Sequence, residues 1–140
     1  RLREAGGEYG STTGRPRRCG WFDSVALRYA ARIGGISGLA VTKLDVLSGF
    51  DKIRICIGYR YKGELITEFP SNSEVLKNCV PVYEEIDGWA EDISDVKDIS
   101  NLPHQARVYL DKIEETSGVP IWILSLGASR EKVIFVKDMP

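Results

Sequence analysis

Residues 53–61 alternate. Ile53, Ile55, Ile57, Tyr59 and Tyr61 share one face and Arg54, Cys56, Gly58 and Arg60 the other, the period-two pattern of a half-buried strand. Lys62-Gly63 marks a turn into a partner run, Glu64 to Phe69, so the two form an antiparallel hairpin. Upstream the period changes to that of a helix, from about Trp21 to Ile33. Trp21, Val25, Tyr29 and Ile33 recur at spacing four, Phe22, Ala26 and Ala30 widen the stripe, and Gly34-Gly35 supplies the stop. Leu39 to Lys43 is a short apolar run that reads as a buried strand. Val80 to Ile86 reads as another strand, followed by a turn at Asp87-Gly88-Trp89. Pro103 opens a second helix, with Asn101 or Ser100 near its cap; Leu102, Ala106, Leu110 and Ile113 line its apolar face, and Gly118 ends it. Pro120 to Ser125 reads as a central strand and Val133 to Val136 as a last short one. Residues 1–20 are Gly-rich and loop-like, and the acidic stretch Glu91 to Ser100 shows no period to assign. The order of elements is α/β with an antiparallel excursion, without repeats.

Composition narrows the function classes. The 140 residues suffice for one core of ordinary size. Nineteen basic residues against 20 acidic give a net charge of −1, which argues against a nucleic-acid-binding domain while leaving room for a local basic site. No apolar run approaches the roughly 18–20 residues of a membrane span, and no signal or transit peptide is visible. Three cysteines, Cys19, Cys56 and Cys79, fit neither a zinc site nor a disulfide framework, so a reducing, cytoplasmic setting is expected. Cys56, among apolar neighbours, reads as a small buried hydrophobe. Cys19 lies beside arginines and reads as a tolerated small residue. The chain opens on Arg1-Leu2-Arg3-Glu4-Ala5-Gly6-Gly7, which reads as the end of an element, so a piece of a longer polypeptide is expected.

The densest chemistry is in Ser11-Thr12-Thr13-Gly14-Arg15-Pro16-Arg17-Arg18-Cys19-Gly20-Trp21. Arginines at that density contribute little as exposed ion pairs, but their planar forks suit bidentate capture of carboxylate or phosphate. Gly14 and Pro16 favour a shaped loop over a helix, and the glycines make it mobile. A second segment, Thr42-Lys43-Leu44-Asp45, ends the run Gly38-Leu39-Ala40-Val41. An Asp there can accept from the ring N–H and exocyclic amine of guanine, a donor pair adenine lacks. The Lys stem can cover the base while its ammonium stays solvated. A third, Ser125-Leu126-Gly127, follows Pro120-Ile121-Trp122-Ile123-Leu124 and can offer backbone N–H groups to a base carbonyl, at a strand end where open α/β sheets bind ligands.

Together with Gly20-Trp21-Phe22-Asp23, the run Leu39 to Leu47 and Glu114-Glu115-Thr116-Ser117-Gly118-Val119-Pro120, these segments resemble, in this order, the C-terminal third of the adenylosuccinate synthetase family. The resemblance spans essentially the whole of 1–140. It implies the C-terminal part of a P-loop-like, mostly parallel sheet with flanking helices and an antiparallel β excursion. It implies a substrate-binding loop region in 1–20 and guanine-site strands and loops in 39–47 and 120–127. The implied activity is GTP-dependent ligation of IMP and L-aspartate to adenylosuccinate, by a cytoplasmic homodimer that engages neither nucleic acid nor membrane. By resemblance Ser11, Thr12, Thr13, Gly14, Arg15, Pro16 and Arg17 bind aspartate and IMP. Arg17, Lys43, Leu44, Asp45, Ser125, Leu126 and Gly127 bind GTP.

Two departures stand out: Pro16 replaces a frequent arginine, and Ser-Leu-Gly-Ala replaces a more usual Ser-Thr-Gly-Pro. Backbone contacts survive both changes. The sequence lacks a Gly-x-x-x-x-Gly-Lys-[Ser/Thr] loop and a standout acid–base pair. The resemblance puts the phosphate loop, the Mg2+ ligand and the catalytic Asp and His in an N-terminal part, so no catalytic or metal-ligating residue is expected here and the chain alone is expected to be inactive. His104, the single histidine, reads as a surface or half-buried residue, and Glu84-Glu85 and Glu114-Glu115 as solvated faces. A non-catalytic guanine-nucleotide-binding α/β module is the alternative, disfavoured by the missing phosphate loop. A purely structural domain is disfavoured by the arginine–threonine loop.

Overall fold

A computed structural model describes residues 1–137. The strand read from the alternation is its centre. β3 (Lys52–Tyr61) pairs antiparallel along one edge with β5 (Val80–Asp87). On its other edge it takes β1 (Phe22–Asp23), parallel, and β4 (Glu64–Ile66), antiparallel. Lys62 (φ 49°) and Gly63 (φ 88°) make the two-residue turn to β4, with both φ positive as the strand twist requires. A second sheet has the order β2 (Leu39–Thr42), β6 (Ile121–Ser125), β7 (Val133–Phe135), with β2 and β6 parallel and β6 in the central place expected for Pro120 to Ser125.

Among the described residues two strand pairings are parallel and three antiparallel, so the sheets are mixed rather than mostly parallel. The reason lies in the connections. A two-residue turn joins β3 to β4 and a short loop joins β6 to β7, and such links cannot reverse the chain into a parallel neighbour.

The alternation in β3 holds only as far as Ile57. The register against β5 shifts between Cys56 and Gly58, and this bulge turns Tyr59 to the face that Cys56 occupies. Ile53 and Ile55 enter the main core, whereas Cys56 and Tyr59 pack with Val25 in a second cluster beneath α2 (Ser24–Gly34). Tyr59 therefore does not share a face with Ile53 and Ile55. Cys56 is buried, as its neighbours implied.

α2 starts three residues later than its stripe suggested because Asp23 is its cap: Oδ1 accepts from Ala26 N at 3.0 Å, and Oδ2 accepts from Tyr59 Oη–H at 2.6 Å. Gly35 in the left-handed region ends it, leaving Ile33 67% exposed instead of on the buried stripe. The other long helix, α4 (His104–Ser117), buries Ala106, Tyr109, Leu110 and Ile113 against both sheets. Pro103 occupies its cap position with no side-chain cap; Asn101 and Ser100 belong instead to a 3-10 turn capped by Asp98. His104 is exposed.

Four regions were unreadable or read differently. Residues 1–20 contain α1 (Leu2–Gly6), and 70–79 contain α3 (Ser73–Asn78). The partner strand of the hairpin stops at Ile66, and Phe69 turns inward to stack on Tyr29 at 5.0 Å. The acidic stretch is a strap pinned at both ends: Trp89 and Ile93 are buried, Lys132 pairs with Asp95, and Lys97 Nζ donates to Glu131 O at 2.7 Å.

Candidate functional site

The arginine–threonine run is a hairpin rather than an open loop. Tyr9 and Pro16 form an antiparallel bridge, Arg17 N donates to Glu8 O at 2.9 Å and Gly10 N to Arg15 O at 2.8 Å. Gly14, at φ 62°, closes the tip with its N–H on Gly10 O at 2.8 Å. The tip therefore presents Ser11, Thr12, Thr13 and Arg15 to solvent. Among the described residues the Arg15 and Arg18 guanidinium groups make no hydrogen bond or ion pair, so they keep their charge available to a ligand. Arg17 differs: its Nη1 lies 3.1 Å from Glu8 Oε2.

The second segment begins at the end of β2, where Thr42 lies opposite Ser125 of β6. The chain then reverses through Lys43, a non-glycine residue at φ 60°, ψ 35°, a conformation costing about 1–2 kcal/mol. This reversal starts a 3-10 turn, Leu44–Leu47, locked by Leu44, 2% exposed, in the core. It throws Lys43 toward the N-terminal hairpin, where Nζ donates to Gly6 O at 2.7 Å and pairs with Glu8 Oε1. Asp45 is partly buried in the first turn. Its Oδ1 is shielded from solvent and has no hydrogen-bond partner among the described residues.

The third segment is held tightly. Ser125 Oγ donates to Gly127 O at 2.9 Å, and buried Leu126 gives its N–H to Lys132 O at 2.9 Å. The Leu126 N–H is thus already taken. Lys132 also covers Gly127, since a Cβ there would meet its Cγ at 3.2 Å.

A cleft of about 370 Å³ joins the first two segments, with Arg17, Arg18, Thr42, Lys43, Glu8 and Tyr109 in its wall. The hairpin tip, Asp45 and Ser125–Gly127 lie outside that wall. The structure thus brings Arg17 and Lys43 together, and places Thr42 and Ser125 side by side on the adjacent strand ends. Sequence reasoning passed over Glu8, although an acid two residues before the glycine of an arginine-rich hairpin is a visible anomaly. Its carboxyl is held below the ordinary carboxylate range, chiefly by the hydrogen bond from Lys43 and further by Arg17. Cys19, in the same wall, is exposed, with Sγ 3.7 Å from Arg17 O.

Among the described residues no cluster of three His, Cys, Asp or Glu side chains is placed to hold a metal ion, and no helix is long and apolar enough to cross a membrane.

The family model described as adenylosuccinate synthetase matches residues 1–134. The adenylosuccinate synthetase of Carboxydothermus hydrogenoformans is 57% identical over 138 residues, 99% of this chain and 32% of that protein. That of Pelotomaculum thermopropionicum is 54% identical over the same length and shares. A solved structure described as fully ligated adenylosuccinate synthetase from Plasmodium falciparum superposes with a TM-score of 0.91 at 41% identity, covering 97% of this chain and 33% of that one. The chain spans about a third of the length of the curated relatives it matches. On this match of sequence and fold along nearly its whole length, the chain belongs to the adenylosuccinate synthetase family of purine-biosynthesis ligases.

Proposed function

We propose that this chain supplies the L-aspartate grip and the guanine grip of an adenylosuccinate synthetase, which joins IMP and L-aspartate with conversion of GTP to GDP and phosphate. The observation that carries the reading is Asp45 Oδ1, buried and without a hydrogen-bond partner among the described residues, two residues beyond Lys43. A carboxylate in that state favours a ligand with two adjacent donors, which guanine's N–H edge provides and adenine's does not. The Lys43 stem then borders the base, Leu44 anchors the turn, and the backbone of Ser125 and Gly127 serves the base carbonyl, with Leu126 as the buried pin of that loop.

On the other side, the exposed Arg15 and the cleft-lining Arg17 take the aspartate carboxylates as bidentate forks. Ser11, Thr12, Thr13 and Gly14 orient them through hydroxyl and backbone groups, and Pro16 contributes backbone only. Arg15 also reaches the IMP side and Arg17 the GTP side, so residues 1–20 serve as substrate loop and residues 39–47 and 120–127 as guanine site. Mg2+ and the phosphate loop would be held by a part of the enzyme outside this chain; the ion supplies charge neutralisation on the phosphates. The reaction runs by transfer of the GTP γ-phosphoryl to the IMP 6-oxygen, followed by displacement of phosphate by the aspartate amine. This chain's residues position the two ligands. The same reading has the whole enzyme act as a cytoplasmic homodimer and leaves the isolated chain inactive.

The test is adenylosuccinate formation by the complete enzyme carrying this chain, with IMP, L-aspartate and GTP supplied singly and together. Product only when all three are present, and none from the isolated chain, is expected. Turnover with ATP equal to that with GTP would defeat the reading.

A further inference from the structure

Glu8 lies in the 1–20 region but ahead of its arginine–threonine run, and it connects that run to the Lys43 segment. Its Oε1 pairs with the Lys43 ammonium and its Oε2 lies 3.1 Å from Arg17 Nη1. Its backbone carbonyl accepts from Arg17 N at 2.9 Å, and Gly6 O takes a further hydrogen bond from Lys43 Nζ at 2.7 Å. Arg3 Nε adds a bond to Arg17 O at 2.8 Å. The Glu8 side chain is 22% exposed, less than half the exposure of either cation.

Exposed ion pairs add little to stability, so the consequence of this network is geometric. Lys and Arg carry much rotamer freedom, and two like charges in one cleft wall repel. A single carboxylate between them removes both problems, and it does so beside a lysine whose backbone is already held in the left-handed region.

Resting on the reading that Lys43 borders guanine and Arg17 holds aspartate, we propose that Glu8 is a positioning residue that locks Lys43 and Arg17 in their binding geometry and so joins the guanine and aspartate half-sites. It touches neither ligand. Its loss frees both cations at once, which weakens GTP and L-aspartate together and leaves IMP unaffected.

The experiment is steady-state kinetics on the complete enzyme carrying this chain, comparing wild type, Glu8→Gln, Lys43→Met and the double variant, with Arg17→Lys as a reference. Glu8→Gln is expected to raise the KM of both GTP and L-aspartate about three- to tenfold, with kcat and the KM of IMP within about twofold. On the Lys43→Met background, Glu8→Gln is expected to raise the KM of GTP by less than it does in the wild type, since only the Arg17 contribution remains to be lost, and still to raise that of L-aspartate. A merely structural Glu8 would instead lower thermal stability and shift all three KM values in both backgrounds, which overturns the proposal. Unchanged KM values overturn it too. So does a fall in either KM, which would make Glu8 a competitor of the ligand rather than a support. If Lys43→Met and Arg17→Lys change neither KM, the underlying site reading fails and the proposal falls with it. If they do and Glu8→Gln does not, the Glu8 proposal alone fails.

Discussion

Arg15 and Lys43 are held in two different ways, Lys43 by its bonds to Gly6 O and the Glu8 carboxylate. Arg15 stands exposed at a hairpin held by backbone hydrogen bonds, so its fork is presented without a competing partner among the described residues. Replacing it by lysine keeps the charge and removes bidentate geometry. Arg15→Lys in the complete enzyme is expected to raise the KM of L-aspartate about tenfold, measured by initial rates; an unchanged KM would remove Arg15 from the aspartate grip. Away from the site, Tyr59 has a role the sequence did not announce. Its hydroxyl closes on Asp23, which caps α2, so Tyr59→Phe leaves a half-buried carboxylate oxygen short of a partner. A loss of about 1–2 kcal/mol is expected in urea denaturation, and no loss would show that water replaces the phenol freely.

At the level of elements, legibility followed periodicity. The β3 alternation, its two-residue turn and the helix ending at Gly118 were readable because side-chain period and turn residues agree there. The bulge at Ile57 was not, because nothing in a period-two pattern announces an extra residue, and it moved Tyr59 to the opposite face. The start of α2 was misplaced because Trp21 and Phe22 continue the apolar stripe into residues that a cap and a strand pairing claim. Of the candidate site, Arg17 and Lys43 stood out as residue types, Glu8 did not, and their assembly was hidden: Glu8 meets Arg17 across the N-terminal hairpin, and Lys43 joins them through the reversal after β2. Gly38 is another contact hidden from sequence. A Cβ there would lie within the Trp122 ring, so the approach of the chain entering β2 to β6 demands glycine. Gly38→Ala is expected to destabilise the chain by about 1–3 kcal/mol, seen as a lowered denaturation midpoint; an unchanged midpoint would mean that Trp122 swings away at no cost.

For the whole molecule, the core that joins the two sheets through α4 also sets its response to pH. Burial pushes the Tyr109 phenol up to about 12, and burial with the hydrogen bond to Asp23 pushes Tyr59 higher still, against 10.0 for an ordinary tyrosine. The folded state favours the neutral phenols. The Tyr109 contribution is therefore complete below pH 10 and is lost as pH rises from 10 through about 12, while that of Tyr59 persists to higher pH. The urea midpoint is expected to fall over that window and to fall less in Tyr109→Phe; an identical slope in the variant would detach the effect from Tyr109.

The central claim is that Asp45 reads guanine, and its most direct test exchanges one atom on each side of the contact. Kinetics of the complete enzyme carrying this chain are compared with GTP and with xanthosine triphosphate, for Asp45 and for Asp45→Asn. A preference for GTP in the wild type is expected to reverse toward xanthosine triphosphate in the variant, because the amide restores a donor–acceptor match with the 2-oxo base. A ratio of kcat/KM values that stays the same in the variant would contradict it.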